Sequence, residues 1–336
     1  MAETTKIAWC DATFNPWIGC SKVAPGCQNC YAESDMDHRR GRVKWGPNGT
    51  RSRTSDAYWR QPLKWNREAE KAGERRRVFC ASLADVFEDW EGPILNNLNQ
   101  KIFIGPHREL CETGLDIEHG GAITLKTEWR SFTMNDLRRD LFALIDQTPN
   151  LDWLLLTKRP ENVRKIWLPN FGQFDGCDGD YRRNVWLGCS VSDQATADAA
   201  IPELLNCRGL CPVLFVSAEP LLGPVDLTDV GCCDAIFNPG KCQEISTLNW
   251  VIIGGESGPK ARPCSVEWIR GIASQCKEAE VACFVKQVGD DAVAPHPSDP
   301  SMPAKWPGLP LLGIKASKGG DPEEWPEDLR VREFPR

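Results

Sequence analysis

Trp153-Leu154-Leu155-Leu156-Thr157-Lys158-Arg159-Pro160 decides how the rest of the chain reads. Four consecutive apolar residues leave no face for water, and the run stops abruptly at a hydroxyl, two cations and a proline. Unbroken apolarity over so few residues fits a strand buried on both faces, as in a parallel sheet. The same pattern recurs at Val78-Phe79-Cys80-Ala81, Val185-Trp186-Leu187-Gly188, Val213-Leu214-Phe215-Val216, Trp250-Val251-Ile252-Ile253 and Ala282-Cys283-Phe284-Val285, and a seventh strand is expected near Ile7 to Ile18. Helical spacing fills the gaps: Met134, Leu137, Leu141, Leu144 and Ile145 follow Thr133, and Val266, Ile269, Ile272, Ala273 and Cys276 follow Ser265, each opened by an N-cap residue. From Trp153 onward the strand starts lie about thirty residues apart, the length of a β-α unit. The pattern predicts an α/β fold, either a complete or partial barrel or an open doubly wound sheet, with right-handed crossovers placing the helices outside.

Composition narrows the setting. The 336 residues carry a formal charge of -7, and no apolar run approaches the eighteen or so residues of a membrane span. Sixteen cysteines without an amino-terminal signal peptide point to a reducing compartment, so a soluble cytoplasmic protein is expected. Residues 1–289 read as one α/β domain with an insertion over 95–130, and residues 290–336 as a proline-rich, charged extension that wraps or meets a partner. Cys177 in one loop, and Cys232, Cys233 and Cys242 in another, are candidates for an auxiliary metal site.

The chemistry sits at the strand ends. These read Ser82-Leu83-Ala84-Asp85, Thr157-Lys158-Arg159-Pro160, Ser190-Val191-Ser192, Ser217-Ala218-Glu219-Pro220, Gly254-Gly255-Glu256-Ser257 and Lys286-Gln287. In a parallel barrel or sheet they share one rim, where ligands bind. Singly, Lys158 or Glu219 reads as a surface charge and Gly254-Gly255 as a tight turn; a full ring of such residues is hard to assign to packing. The loop after the first expected strand brings Asn15-Pro16-Trp17-Ile18-Gly19-Cys20 and Cys27-Gln28-Asn29-Cys30-Tyr31 to the same rim. Cys20, Cys27 and Cys30 can converge on a soft metal or an iron–sulfur cluster, leaving a coordination position open. A closed zinc site completed by Cys10, and three cysteines clustered only by packing, are the alternatives. Asp85, Glu219 and Glu256 could instead hold a hard cation for a hydrolase or nuclease. None of the four histidines, His38, His107, His119 and His296, stands at a strand end, which weighs against a histidine-ligated hydrolase.

Charge is unevenly spread. Met36 to Arg77 holds thirteen basic residues against five acidic ones, interleaved with Trp45, Tyr58, Trp59 and Trp65. Guanidinium groups beside aromatic rings suit a nucleic acid, with Arg39, Arg40 and Arg42 on phosphates and Trp45 or Trp59 on bases. A solvated helix face over core tryptophans gives the same composition, and a metal-bearing nucleic-acid-binding module without catalysis is the rival reading.

These motifs, from the cysteine loop through Thr157-Lys158-Arg159-Pro160-Glu161, Ser217-Ala218-Glu219-Pro220-Leu221, Gly254-Gly255-Glu256-Ser257-Gly258 and Lys286-Gln287, together resemble the phage-associated three-Cys-motif family of uncharacterised proteins over most of Ile7 to Gly289. That family in turn resembles radical S-adenosylmethionine enzymes. The resemblance implies a partial (β/α)6-type barrel with parallel strands and a [4Fe–4S] cluster on Cys20, Cys27 and Cys30. It further implies S-adenosyl-L-methionine as cofactor, a 5′-deoxyadenosyl radical, an electron donor such as flavodoxin or ferredoxin, and modification or repair of a nucleic acid or nucleotide. By charge and rim position alone, Lys158 or Arg159 suits the methionine carboxylate and Glu219 or Glu256 its ammonium or the ribose hydroxyls. Ser82, Asp85, Ser190, Ser192, Ser217, Gly254 and Gly255 line the cofactor, and Lys286 and Gln287 face substrate. The chain departs from the superfamily in having six residues between the first two cysteines, Asn29 in place of an aromatic before the last, and Ser82-Leu83-Ala84-Asp85 where glycine-glycine-glutamate is usual.

Overall fold

Every one of the apolar runs is a strand of a single parallel sheet. The computed structural model describes residues 5–105, 129–171, 182–230, 248–294, 309–310 and 314–335. Its main sheet comprises β1 Ala12–Phe14, β2 Arg76–Cys80, β3 Leu151–Thr157, β4 Val185–Val191, β5 Val213–Ala218, β6 Trp250–Gly254 and β7 Ala282–Gln287. Neighbours in the sheet are neighbours in the chain, and each pair is parallel. A doubly wound sheet reverses its strand order at a switch point. This one never does, so the chain winds one way and the sheet curls into a half-barrel.

Alternation along the strands sorts side chains into two layers. Val78, Trp153, Leu155, Leu187, Val216, Val251 and Val285 pack outward with the helices α1 Gln61–Ala72, α2 Met134–Asp146, α3 Val163–Phe171, α4 Gln194–Leu205 and α5 Val266–Glu278. Phe79, Leu154, Phe215, Trp250, Ile252 and Phe284 form a separate buried layer with Trp9 and Cys10, to which no helix among the described residues contributes. That second layer fills the concave side. Burial on both faces explains why these strands show no polar alternation.

The last residues complete the fold along its open edge. Val285 N–H donates to the Val331 carbonyl at 2.9 Å and Glu333 N–H to the Cys283 carbonyl at 2.8 Å, so residues 331–333 pair with β7. Phe334 packs on Trp250 and Phe284, with the Arg77 guanidinium 3.8 Å above its ring. Covering an edge strand in this way removes a template for aggregation. The insertion is closed at its base by an antiparallel pair, Phe103–Ile104 with Arg130–Ser131. Cys177, Cys232, Cys233 and Cys242 lie outside the described residues.

Thr133 does cap α2, in a full capping box with Asp136. Burial alone would raise the Asp136 carboxyl, but hydrogen bonds from Arg130 and Thr133 outweigh it and hold the group well below the usual carboxylate range. A depressed folded-state pKa gives stability that is present above the unfolded value near 4 and lost as pH falls. Asp136→Asn is therefore expected to lower stability by about 1–2 kcal/mol at pH 7. Urea unfolding at pH 7 and pH 3 checks this: the difference from wild type should shrink in acid.

Candidate functional site

Above the aromatic layer, the inner face of the half-barrel turns polar at the C-terminal ends of its strands. Lys158, half-buried, places its ammonium on the Ser190 hydroxyl, and Ser190 Oγ donates to the Glu219 carbonyl at 3.1 Å. The Glu219 carboxylate pairs with Lys286. Gly254 lets this pair pass, since a Cβ there would lie 3.3 Å from Glu219 Cδ. Tyr31 donates its hydroxyl to the Ser82 carbonyl at 2.7 Å. It is 61% exposed.

The cysteine loop lies across that mouth, clamped at both ends. At its start, Asn15 fixes the rim by accepting from Leu83 N–H at 2.8 Å and donating to Ser82 Oγ at 3.1 Å. Arg159 Nη2 donates to the Ser21 carbonyl at 2.7 Å, and Nη1 reaches Cys20 Sγ at 3.6 Å. At the other end, Asn29 donates to Glu256 at 3.2 Å and to the Lys260 carbonyl at 2.8 Å. Arg262 pairs with Glu256 and donates to the Pro25 carbonyl at 3.0 Å. Beneath the loop's centre, a Cβ on Gly26 would fall 2.5 Å from Ser192 Oγ and 3.2 Å from Pro220 Cδ, so the loop lies close on the rim there.

Cys20, Cys27 and Cys30 are half-buried, while Cys10, Cys80, Cys189, Cys207, Cys211, Cys264, Cys276 and Cys283 are buried in the core. Burial pushes the Cys20 thiol up to about 12 and raises Cys30 as well. Such thiols stay protonated unless a cation draws the proton off. Among the described residues no three His, Cys, Asp or Glu side chains are gathered closely enough to hold one metal ion. Cys10 belongs to the aromatic layer rather than to the loop. Asp85, Glu219 and Glu256 are each paired with a cation of the protein, Arg159, Lys286 and Arg262 respectively. The donor set that remains is three half-buried thiols on one loop, soft ligands of the type that thiophilic metals and iron–sulfur clusters take.

Several residues singled out in the sequence are occupied by the scaffold. Gln287 is 4% exposed and donates to the Gly255 carbonyl at 2.8 Å, and a Cβ on Gly255 would strike the Val288 carbonyl at 2.2 Å. Trp59 belongs to the core: it is 8% exposed, edge-on to Phe14, with Arg53 stacked 4.5 Å above it. It is not free to stack on a base. Ser217 is buried at the rim, and Trp45 is half-buried beside Val43 and Leu83. Arg39, Arg40 and Arg42 are exposed, the first two sharing Asp35. Arg51, counted in the basic segment, is buried against Glu88. Sequence patterns include Asn15 only as the start of the cysteine motif, without a role, and single out neither Arg262 nor the Arg51–Glu88 pair. Arg262 stands only six residues after Glu256, but Arg51 and Glu88 are too far apart for spacing to link them.

The family described as "Protein of unknown function (DUF5131)" matches residues 4–103 and 131–305. The break between the two stretches falls at the antiparallel pair that closes the insertion. No curated protein and no solved structure matches the chain.

Proposed function

The chain belongs to this family of proteins of unknown function, and we propose that it is a radical S-adenosylmethionine enzyme acting on a nucleic acid or nucleotide. One observation carries the reading: the three half-buried cysteines share a loop clamped over the polar mouth of a singly wound half-barrel, and every other described cysteine is buried. Cys20, Cys27 and Cys30 would hold a [4Fe–4S] cluster. With S-adenosyl-L-methionine bound and an electron donor such as flavodoxin or ferredoxin, such a group would supply radical chemistry for hydrogen abstraction.

The chain's own residues bind and shield. Lys158, held by a neutral hydroxyl, is the rim cation suited to a carboxylate of the cofactor. Glu219 and Ser190 offer acceptors to an ammonium or to ribose hydroxyls, with Lys286 paired to the Glu219 carboxylate. Tyr31 closes one wall of the mouth, and the aromatic layer below keeps water out from beneath. Among the described residues no helix is long and apolar enough to cross a membrane.

Anaerobic purification with iron and sulfide assays, followed by calorimetry with S-adenosyl-L-methionine, tests the reading. Iron and sulfide in near-equal amounts, cofactor binding and slow release of 5′-deoxyadenosine are expected; a protein that takes up zinc but no sulfide refutes it.

The exposed Arg39, Arg40 and Arg42, directly after the loop, support a nucleic-acid substrate. Each phosphate contact should contribute roughly 0.7 to 0.9 to the slope of log affinity against log salt. An Arg39→Glu, Arg40→Glu, Arg42→Glu variant is expected to flatten that slope by about two or more. Titrations of single-stranded DNA, duplex DNA and RNA across a salt series read it, and an unchanged slope for all three would make the segment a solvated surface.

A further inference from the structure

Arg159 is committed on every terminal N–H. Nη1 donates to Asp85 at 2.8 Å and to Cys20 Sγ at 3.6 Å; Nη2 donates to the Ser21 carbonyl at 2.7 Å and to Glu88 at 3.4 Å. Its side chain is 7% exposed, so a cofactor carboxylate could reach it only by breaking these bonds. Behind it, Thr157 Oγ1 donates to Asp85 at 2.8 Å, and Arg51 grips Glu88 through Nε at 2.7 Å and Nη2 at 2.8 Å. Arg51 Nη2 also donates to Ser21 Oγ at 3.0 Å. Two cations and two carboxylates therefore interlock below the loop, and both arginines converge on Ser21, the neighbour of Cys20.

Two carboxylates and a carbonyl would satisfy a structural arginine. The remaining N–H points at the Cys20 sulfur at 3.6 Å, and a guanidinium hydrogen bond gains strength when its acceptor is anionic. We propose that Arg159 is a positioning residue for Cys20: it fixes the direction of the sulfur at the mouth and lends it an N–H···S bond that raises the reduction potential of the cluster held there. This rests on the cluster reading above. Hydrogen bonds to the ligand sulfurs are among the factors that set such potentials, and a cationic donor favours the more negative, reduced state.

The test is Arg159→Lys, which keeps a charge for Asp85 and Glu88 but cannot span Asp85, Ser21 and Cys20 together. In the apoprotein, hydrogen exchange of the amides of residues 19–24 should quicken at least about tenfold, the consequence of losing a charged hydrogen bond. After anaerobic reconstitution with iron and sulfide, the variant's midpoint potential in an EPR-monitored titration should fall below that of the wild type. Unchanged exchange, or a cluster-loaded variant at the wild-type potential, overturns the proposal. Should the wild type itself take up no iron and sulfide, the cluster reading fails separately, and loop exchange alone then decides the positioning role. If Arg159→Lys fails to fold, Arg159→Met combined with Asp85→Asn removes the pair together, leaves Glu88 on Arg51, and is held to the same two readouts.

Discussion

On the proposed cluster reading, an alanine at position 27 is expected to abolish iron uptake on reconstitution and leave the fold intact. Cys27 is half-buried, at the end of the short turn Pro25–Cys27, and belongs to none of the buried apolar clusters. Its loss should change apoprotein stability by no more than about 0.5 kcal/mol, as for substitutions away from the core. Removing a ligand should weaken iron binding by more than the roughly 10–100-fold typical of a ligand's supporting neighbours. Cys207 makes the contrast: it is fully buried among the outward-packed residues with its thiol on the Glu203 carbonyl at 3.3 Å. Cys207→Ala should destabilise the fold while keeping its iron. Iron and sulfide counted after anaerobic reconstitution, beside urea melts of the apoproteins, separate the two effects; full iron in Cys27→Ala would remove this cysteine from the site.

Much of the architecture is legible in the sequence because burial on both faces leaves a plain signature, unbroken apolar runs such as Trp153 to Leu156. The rim is legible too, since parallel strands must bring Lys158, Ser190, Glu219 and Lys286 to one end. Winding is not. A singly wound half-barrel and a doubly wound sheet share the same strand and helix periods, and only the strand order separates them. Nor does composition tell a surface charge from a buried one. Arg51 and Arg42 look alike in the basic segment, yet Arg51 is 0% exposed because Glu88 meets it from 37 residues away. The same holds for Trp59, which reads as a stacking platform until Phe14 and Arg53 enclose it. Pro16 marks another limit. It stands between β1 and Trp17–Ile18, which leave the main sheet to pair with Arg51–Arg53, and so sets up the turn into the cysteine loop.

Glu88→Ala is expected to destabilise the fold more than any of the substitutions above. The Arg51 side chain is 0% exposed and that of Glu88 3% exposed, joined by two parallel N–H···O bonds. Arg51 also donates to the Thr50 carbonyl at 3.0 Å and lies 4.8 Å over the Trp90 ring. Deleting the carboxylate leaves a buried guanidinium without its counter-ion, which costs about 3–5 kcal/mol. That is a large part of the roughly 5–15 kcal/mol typical of a whole domain. An exposed pair makes the contrast: in Arg39–Asp35 the arginine side chain is 69% exposed, and Asp35→Ala should cost about 0–1 kcal/mol. If the penalty at Glu88 is that of an orphaned charge, removing both partners must relieve it. Arg51→Met combined with Glu88→Leu should therefore be markedly more stable than Glu88→Ala alone, and a double-mutant cycle in urea should show strong coupling. Additive losses would mean that the two side chains act independently. The loop would then be held by the Arg159 and Arg262 clamps without help from the buried pair beneath Ser21.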